Sequence, residues 1–383
     1  MIKILHFISD SNVGGAGRLL CNLIENIDKN VFSTYVALPK SSALIPYLST
    51  LPCTIVELDS PPDTSFSVKG FLEAIDIIKK VQPDIVHSHA SLSSRLASTL
   101  SAIPCRMITK HCAFPVSGIY SISLIKYLSR FVNGVLSSAV IATADCACSA
   151  LLKEGYRRDS ITTVLNGVPP IPVFCESEKE MIRARYSLDK HHFVISIFAR
   201  LEEYKGHKTL IEAAKICKKH FPQFRFFIVG DGSCANELKS YSKKLNVDDV
   251  VCFTGFCHDV APIFNITDVN VNCSILSETS NLALCEGMSL GIPSVASNCS
   301  GNSYTVKNAV NGLLFPVGNA DALAESLSRL YRDNELYAKC SVGAYKRYTE
   351  EFSAKIMAQK IMAIYKKEYR KAHKSTKSPL PLR

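Results

Sequence analysis

The feature that most constrains the fold of this chain is an alternation of short β-branched segments with amphipathic segments of helical spacing, and it runs twice. The first run starts with IKILHFIS at residues 2–9. The second run starts with HFVISIFARL at residues 192–201. Alternation of this kind indicates parallel sheets covered by helices. We therefore expect an α/β protein with two doubly wound Rossmann-like domains and a cleft at the carboxyl ends of their strands, where such sheets bind ligands.

The two runs are separated by a stretch rich in proline and charge, which has three prolines in its first four residues. This composition is typical of a linker. We expect an N-terminal domain over 1–168, the linker over 169–190 and a C-terminal domain over 191–352. A terminal helix is expected over 353–372, packing back on the first domain, followed by a basic tail over 373–383.

Length and composition favour a globular, cytoplasmic protein. The chain has 383 residues, too many for one ordinary core, and 47% of them are apolar. No stretch supplies the roughly 18 uninterrupted apolar residues that cross a membrane, and the apolar part of the N-terminus is too short for a secretory signal. Fifteen cysteines are scattered singly through apolar segments, as in reduced proteins. They lack the paired spacing of a zinc site.

The net charge of +10 is concentrated at the C-terminus, where the last eighteen residues hold seven Lys or Arg and one Glu. Such a tail attracts anionic lipid by about 1 kcal/mol per basic residue near the surface. It equally suits a solvated tail that has no partner. Nucleic acid is not an expected partner, because no recognition module is visible.

The segment 118–136 has apolar residues at helical spacing, with Lys126 and Arg130 on the other side. One interpretation is a helix that lies on the inner face of the cytoplasmic membrane and guides a lipid-linked acceptor. The other is an ordinary helix whose apolar side faces the core of the first domain. Both interpretations stay open at this point.

Glycines follow the first predicted strand and open a helix in NVGGAGR at residues 12–18. Gly14, Gly15 and Gly17 would let the backbone approach a phosphate or sugar, with helix amides facing it. A plain tight turn explains them equally well.

Two cationic residues lie at the end of the first strand of the second run and in the loop that follows it. In ARLEEYKGH, Arg200 stands at the strand end and Lys205 just before a helix. Arg binds a diphosphate bidentately and Lys as a point charge. The next strand ends in VGDG, which contains Gly230, and both loops belong to the same sheet edge. We favour a diphosphate site over ordinary surface cations.

Two isolated carboxylates flank the start of another predicted helix. Glu278 precedes it and Glu286 lies within it, in surroundings that are small and almost uncharged. A carboxylate can accept hydrogen bonds from vicinal hydroxyls of a ribose or hexose. A favourable interaction with the helix dipole, worth about 0.3–1 kcal/mol, leaves the small, uncharged surroundings unexplained. The amides expected to face an anion are those of Ser280, Asn281 and Leu282.

Together these motifs resemble the retaining glycosyltransferases of family 4. The second run contributes ARLEEYKGHKTLIEA, IVGDGS, FTGF, the two glutamates with EGMSLGIPSVAS, and NGLLFPVGNADALAESL. The first contributes GGAGR, PDIVHSHA, TKH and VLNGV. The resemblance extends to about Lys367. It implies a GT-B fold, with a nucleotide-sugar donor held mainly by the second domain and an acceptor held mainly by the first.

The resemblance also implies roles for individual residues of the second domain. Arg200 and Lys205 would neutralise the donor diphosphate and the departing nucleotide. Glu286 would hold the ribose hydroxyls, and Glu278 the hydroxyls of the donor sugar. The sequence departs from the family pattern at Thr279, Tyr304, Thr305 and Pro169, which bears on the identity of the sugar more than on the reaction.

In the first domain the resemblance implies that the loop at Gly15 closes over the phosphates and that His111, in TKH, faces the donor sugar. His87 and His89, in DIVHSH, are explained at least as well by packing in the core. The four residues expected to carry catalysis are therefore Glu278, His111, Arg200 and Lys205.

The expected function is transfer of a hexosyl unit, with retention, from a UDP- or GDP-linked sugar to a lipid-linked saccharide in lipopolysaccharide core, O-antigen or capsule synthesis. Fixed cations and helix amides can meet the charge of the leaving diphosphate, so we expect neither a metal nor another cofactor. Two alternatives are a nucleotide-sugar epimerase or hydrolase on the same fold and a non-catalytic protein that binds sugar nucleotides.

Overall fold

The computed structural model of the chain describes residues 1–111, 123–276 and 281–375. The chain forms two compact units. The first comprises Met1–Gly167 together with the chain from Ala354 onward, and the second comprises Val168–Ser353. Each unit is built on a parallel sheet with helices around it. This architecture confirms the predicted fold class.

The first unit contains a seven-stranded parallel sheet with strand order β3-β2-β1-β4-β5-β6-β7. The strands are β1 (Ile2–Ile8), β2 (Phe32–Pro39), β3 (Thr54–Leu58), β4 (Ile85–His89), β5 (Cys105–Lys110), β6 (Ala139–Ala142) and β7 (Ile161–Thr163). The helices are α1 (Gly15–Glu25), α2 (Ile45–Leu48), α3 (Val68–Val81), α4 (Leu92–Leu100), α5 (Ser123–Leu136), α6 (Asp145–Lys153) and the last helix of the chain, α15 (Ala354–Ser375). The strand order reverses between β1 and β4, the position where such sheets bind ligands.

Helix α15 packs on the sheet of the first unit. Its apolar residues Met357, Ala358, Ile361 and Tyr365 recur at helical spacing and are fully buried. They join one hydrophobic cluster with residues of strands β1, β4 and β5, including Ile4. Burying large apolar side chains such as Met357 and Ile361 contributes roughly 1.5–3 kcal/mol each, which holds α15 on the first unit.

The second unit contains a six-stranded parallel sheet with strand order β10-β9-β8-β11-β12-β13. The strands are β8 (Phe193–Phe198), β9 (Phe224–Val229), β10 (Val251–Gly255), β11 (Val269–Asn272), β12 (Ser294–Ser297) and β13 (Gly312–Phe315). The helices are α7 (Glu176–Arg185), α8 (His207–Lys218), α9 (Ala235–Lys244), α10 (Ala261–Asn265), α11 (Leu282–Ser289), α12 (Asn302–Thr305), α13 (Ala320–Arg332) and α14 (Asn334–Arg347). The order reverses between β8 and β11.

The stretch 169–190, expected as a linker, lies within the second unit. It contains α7, and its residues Ile182 and Leu188 are buried in a cluster with Val194 of β8. The backbone amide of Ile171 donates to the hydroxyl of Ser289 at 3.0 Å. The proline-rich stretch is therefore fixed to the second sheet and its helices along most of its length.

Helix α5 presents its apolar side to solvent. Leu124, Tyr127 and Phe131 are each about two-thirds exposed, at 67%, 70% and 68%. The opposite side of the helix makes polar contacts with the unit: the Ser129 hydroxyl donates to the carbonyl oxygen of Glu154 at 2.5 Å. Among the described helices, none combines the length and apolar character needed to cross a membrane.

Candidate functional site

The loops that follow β8 and β9 are joined at the carboxyl edge of the second sheet. Arg200, in the first loop, is exposed. The amide of the next residue, Leu201, donates to the carbonyl of Asp231 in the second loop at 3.0 Å. Gly230 has φ +140°, and a Cβ on it would lie 2.1 Å from the carbonyl oxygen of Ala199. Only glycine permits this approach, so Gly230 allows the loop that carries Arg200 to pack closely against the loop after β9.

Both predicted cations contact the side chain of Tyr204. Arg200 donates from Nη2 to the hydroxyl of Tyr204 at 2.6 Å. The Nζ of Lys205 lies 5.2 Å from the centroid of the same ring, within the range of a cation–π interaction. Tyr204 therefore connects both cations. Sequence reasoning did not single out Tyr204, although it lies inside the motif that identified its neighbours.

The same loop lies against the end of β11. Gly206 has φ +70°, and a Cβ on it would come within 2.1 Å of the carbonyl oxygen of Cys273. The amide of Ile275 donates to the carbonyl of Tyr204 at 2.8 Å. Loops after three neighbouring strands, β9, β8 and β11, are thus tied together at one edge. Glu278 and Ser280, which follow this segment, lie outside the described residues.

Helix α11 carries the second predicted carboxylate. Asn281 is its N-cap, and the Asn281 side chain accepts from the amide of Leu284 at 3.4 Å. Leu282 is the first helical residue, and Glu286 lies one turn further on, half-buried. A Cβ on the next residue, Gly287, would lie 2.6 Å from the Nδ2 atom of Asn270 in β11. The close packing of Gly287 against Asn270 therefore fixes the position of α11, and with it the position of Glu286, relative to the sheet.

A buried amide network that sequence reasoning missed fixes the start of α11. Asn302 donates to the Oδ1 atom of Asn272 at 2.9 Å and to the hydroxyl of Ser297 at 3.1 Å. Asn281 donates to the Oδ1 atom of Asn302 at 3.3 Å. All four side chains are buried, where polar groups are stable only when hydrogen-bonded. The network joins the ends of β11 and β12 to the helix N-terminus.

In the first unit, the three glycines after β1 serve different purposes. Gly14 is the N-cap of α1, and both Gly14 and Gly15 are exposed, with no atom within 4 Å of a Cβ built on them. Their surroundings are open to an approaching group. A Cβ on Gly17 would lie 2.5 Å from a methyl group of Leu44. Gly17 is buried, and its close packing against Leu44 accounts for a glycine at this position without a ligand.

His111 is the outer member of a row of three imidazoles. Its Nε2 atom lies 2.9 Å from Nδ1 of His89, and Nε2 of His89 lies 3.2 Å from Nδ1 of His6. His6 and His89 are completely buried. Burial lowers the pKa of His111 to about 4 and that of His6 to about 3. The row is therefore uncharged at neutral pH.

His87 lies beside this row. One ring nitrogen from each of His6, His87 and His89 lies within 4.8 Å of the other two. Both nitrogens of His87 already bind hydroxyl groups, those of Tyr365 and Thr109, at 2.7 Å. The arrangement is a hydrogen-bonded cluster and not a set of lone pairs that converge on one ion. It also fits the packing interpretation of His87.

Comparison with protein families gives two matches along the chain. Residues 13–170 match the family model described as Glycosyltransferase Family 4. Residues 178–347 match the one described as Glycosyl transferases group 1. The first match lies in the first structural unit but for its last three residues, and the second lies wholly in the second unit.

Among characterised relatives, the chain is similar to an Escherichia coli enzyme named UDP-Gal:alpha-D-GlcNAc-diphosphoundecaprenol alpha-1,3-galactosyltransferase. The two are 28% identical over 347 residues, which are 88% of this chain and 89% of the relative. A second relative, the lipopolysaccharide core biosynthesis glycosyltransferase LpsE of Rhizobium meliloti, is 28% identical over 42% of this chain and 46% of its own length.

Solved structures share the fold. A glycosyltransferase from Rickettsia africae superposes with a TM-score of 0.84 at 21% identity, covering 96% of this chain and 98% of that one. The Anabaena protein HepE, solved in complex with UDP, superposes with a TM-score of 0.81 at 20% identity, covering 96% of this chain and all of its own. These identities are low, so the likeness concerns the fold.

Proposed function

Because this chain belongs to the glycosyltransferases that join a family 4 domain to a group 1 domain, we propose that it moves a hexosyl unit from a nucleotide-diphosphate sugar to a lipid-linked saccharide. The reaction retains the configuration of the anomeric carbon. The product belongs to a bacterial surface polysaccharide or lipopolysaccharide, as the names of relatives suggest. The second unit binds the donor and the first unit binds the acceptor.

The observation that carries this proposal is the edge of the second sheet. There the loop of Arg200 and Lys205 is tied to the loops after β9 and β11, and α11 starts from the network at the end of β11. Two cations on a short, fixed loop suit the two phosphates of a diphosphate. Glu286 adds an acceptor for the ribose hydroxyls, and Glu278 is assigned to the sugar hydroxyls.

We propose UDP as the nucleotide. The E. coli relative is named for UDP-Gal, and HepE is solved with UDP and with UDP-glucose. These names concern those proteins, and they set the order in which donors are tested on this one. Galactose and glucose are accordingly the first sugars to test.

The proposed chemistry needs no metal. The bond from the anomeric carbon to the diphosphate oxygen breaks, and the bond to the acceptor oxygen forms on the same face. The acceptor proton passes to an oxygen of the departing diphosphate, whose negative charge is stabilised by Arg200 and Lys205. Donors already fixed in position stabilise developing charge without reorganisation. His111 contributes a neutral imidazole, because burial keeps its pKa low.

The proposed acceptor is carried on a lipid, and helix α5 is the proposed contact with the membrane. Its exposed apolar residues are spaced three or four apart, as on one side of a helix: Leu124, Tyr127, Leu128, Phe131, Val132 and Val135. Lys126 and Arg130 are also exposed and suit anionic headgroups. A helix with an apolar side toward solvent and basic residues nearby is typical of interfacial binding. Exposed apolar residues that adjoin one another in this way mark an interaction surface more often than single exposed apolar residues do.

The proposal is tested by a donor screen followed by a transfer assay. UDP- and GDP-linked sugars are screened for an increase in Tm, since a ligand that binds only the folded chain stabilises it. The best donor is then incubated with a polyprenyl-diphosphate-linked sugar. We expect a glycosylated lipid with the donor's anomeric configuration. Release of free sugar or formation of an epimer would support the alternative enzymes, and binding without turnover would support a scaffold.

A further inference from the structure

An apolar groove lies between helices α3 and α4 of the first unit. It has a volume of about 510 Å³ and is lined by Phe66, Phe71, Leu96, Thr99 and Leu100, none of which carries a charge. Phe66 is 46% exposed and Leu100 is 70% exposed. Apolar side chains that line a concave surface and remain exposed are typical of a binding site.

The groove is held open by hydrogen bonds between the starts of its two helices. The amide of Ser67, the N-cap of α3, donates to the hydroxyl of Ser93 at 3.0 Å, and that hydroxyl donates to the carbonyl of Ser67 at 3.2 Å. The amide of Leu92 donates to the carbonyl of Ser65 at 2.7 Å. A groove whose walls are already fixed takes up a ligand at a lower entropic cost.

One end of the groove meets a small polar pocket. Phe66 lines the groove, whereas the next residue, Ser67, lines the pocket. With a volume of about 20 Å³, the pocket has room for one hydroxyl-sized group. All the polar side chains that line it are hydroxyls, those of Ser9, Ser60, Thr64, Ser67, Ser91 and Ser93.

The position of this pocket gives the groove a direction. Ser9 follows β1, and Ser91 follows β4. The pocket therefore lies at the carboxyl edge of the first sheet, where such sheets bind ligands. From this edge the groove leads along α4, a helix roughly 13 Å long, to Leu100 at its end.

A hydroxyl-lined pocket beside an apolar groove suits an amphiphile, with its polar end at the sheet edge and its apolar chain along the helices. A saccharide linked to a lipid has this chemistry. The E. coli relative is named for an acceptor on diphosphoundecaprenol, which carries a long polyprenyl chain.

We propose that the groove between α3 and α4 binds the polyprenyl chain of the acceptor at the isoprene units nearest the diphosphate. The identity of this chain rests on the proposed function. A protein partner fits the groove less well, because each side of a standard protein interface contributes about 20–30 residues and this groove is lined by five. A narrow, uncharged chain needs no larger surface.

Helix α4 also contacts α5, the helix proposed to lie on the membrane. The side chain of Arg95 in α4 donates from Nη2 to the Oδ1 atom of Asn133 in α5 at 3.1 Å. A long chain that leaves the groove at α4 is therefore close to the membrane contact. The groove and α5 have separate roles, since the first binds one chain and the second binds the lipid surface.

Binding of the chain is measured first, without reference to transfer. The full-length protein is irradiated with a polyprenyl diphosphate that carries a photoreactive diazirine in its first isoprene units, and the cross-linked peptides are identified by mass spectrometry. We expect cross-links within residues 66–72 and 96–100. They should be lost in Thr99→Trp, whose side chain would fill the groove. Cross-links confined to α5, or unchanged in Thr99→Trp, would overturn the proposal.

Kinetics then compare two acceptors that differ only in the chain. In the double variant Phe66→Ser and Leu100→Ser, we expect the KM for polyprenyl-diphosphate-linked N-acetylglucosamine to rise about tenfold or more. The KM for the methyl diphosphate ester of the same sugar should be unchanged. The matched control is Val342→Ser with Tyr345→Ser, two residues of α14 that are 71% and 55% exposed. An equal rise for both acceptors would contradict a site for the chain.

Thr99→Trp separates a groove from a surface that attracts lipid in general. The variant adds apolar surface, so it should sediment with vesicles of anionic phospholipid at least as well as the unchanged protein. Its KM for the polyprenyl acceptor should nevertheless rise, because the groove is filled. A lower KM in Thr99→Trp would contradict the proposal. A change of oligomeric state in the double variant, seen by light scattering, would instead assign the groove to contact between copies of this chain.

The experiments distinguish failure of the groove from failure of the proposed function. If the protein transfers sugar to the polyprenyl acceptor, and neither groove variant changes the KM for it, the groove assignment is wrong and the function stands. If no donor supports transfer, but the cross-links lie in the groove and disappear in Thr99→Trp, the chain site stands and the transferase function is wrong.

Discussion

Gly206 lies directly against the end of β11, so that a Cβ built on it would come within 2.1 Å of the carbonyl oxygen of Cys273. The contact joins the residue after Lys205 to the segment that leads to Glu278. The φ of Gly206 is +70°, a conformation that L side chains rarely adopt. Gly206 thus supports both a sharp turn and the close approach of two loops.

Gly206→Ala is therefore expected to be more harmful than an ordinary substitution at positive φ. The backbone conformation alone costs about 1–2 kcal/mol, and the collision with Cys273 adds to it by displacing the loop that carries Lys205. We expect the free energy of unfolding to fall by roughly 3 kcal/mol or more and the donor KM to rise. Urea unfolding and initial-rate kinetics measure the two effects.

Gly318→Ala is the matched control for that experiment. Gly318 has φ +74°, and a Cβ on it would have no atom within 4 Å. Gly318→Ala should therefore lose only the stability that the backbone conformation costs, and its KM for the donor should be unchanged. Equal losses of stability in the two variants would mean that the contact with Cys273 does not hold the loop.

Glu286→Ala should weaken binding of the nucleotide. A hydrogen bond to a charged group contributes about 1.5–3 kcal/mol, which corresponds to a rise in the Kd for UDP of roughly 10- to 100-fold. Calorimetric titration measures it, with Glu325→Ala, an exposed position on α13, as the control. A Kd equal to that of the control would remove Glu286 from the donor site.

Glu278→Ala should mainly reduce transfer. If this carboxylate holds the hydroxyls of the donor sugar, its loss leaves the Kd for UDP nearly unchanged and lowers kcat for the UDP-sugar by 10-fold or more, as for the loss of one positioned acceptor. Calorimetry with UDP and initial-rate kinetics with the UDP-sugar report the two quantities. A large rise in the Kd for UDP at constant kcat would instead assign Glu278 to the nucleotide.

Stability should fall as the pH drops below 6.5. The imidazoles of His6, His87, His89 and His111 have pKa values lowered by burial, so the unfolded chain binds protons first. Stability is full above the unfolded pKa of about 6.5 and is lost below it, by roughly 1–2 kcal/mol per buried histidine at pH 5. Urea unfolding at pH 7 and pH 5 measures the loss.

A variant identifies which groups cause that loss. His6→Phe removes one buried histidine. Its unfolding should therefore take up about one proton fewer between pH 7 and pH 5, so its free energy of unfolding should depend less steeply on pH. His220→Gln changes an exposed histidine and should leave the slope as it is. Identical slopes in all three proteins would mean that the buried histidines are not the source of the acid sensitivity.

Membrane binding through α5 is tested with the double variant Leu124→Ser and Phe131→Ser. Each side chain is expected to contribute about 2 kcal/mol when it is buried in the interface, so sedimentation with vesicles of anionic phospholipid should be lost. Val342→Ser, which changes a residue of α14 that is 71% exposed, should bind as before. Binding that the double variant retains would contradict a contact through α5.

The fold could be predicted from the sequence, because strands and amphipathic helices alternate in both halves. The packing of 169–190 was less visible, since prolines and charges are typical of both linkers and surface segments. Helix α5 shows the limit of periodicity. The spacing of its apolar residues is that of a core-facing helix, yet Leu124 and Phe131 are exposed. A periodic pattern identifies the apolar side of a helix and not what covers it.

The candidate site could be predicted from the sequence where the type of residue and its place after a strand indicate its chemistry. Arg200 and Lys205 stood out as cations at a strand end, and the structure adds that Tyr204 joins them. The histidine row was not visible, because His6 is remote from His89 in sequence and strand register brings them together. The sequence signal for the row is the presence of histidines that lie on the same face of neighbouring parallel strands, and it can be used only when the strand register is known.

The central claim is tested most directly by transfer of labelled hexose from UDP-galactose or UDP-glucose to polyprenyl-diphosphate-linked N-acetylglucosamine in the presence of EDTA. The full chain should form a retained glycosidic product at the same rate with and without chelator. Arg200→Ala and Lys205→Ala should each lower kcat by roughly 100-fold or more, as the loss of a charge-stabilising donor does. Loss of turnover in EDTA would contradict a reaction without a metal, and full activity in both variants would contradict a diphosphate held by Arg200 and Lys205.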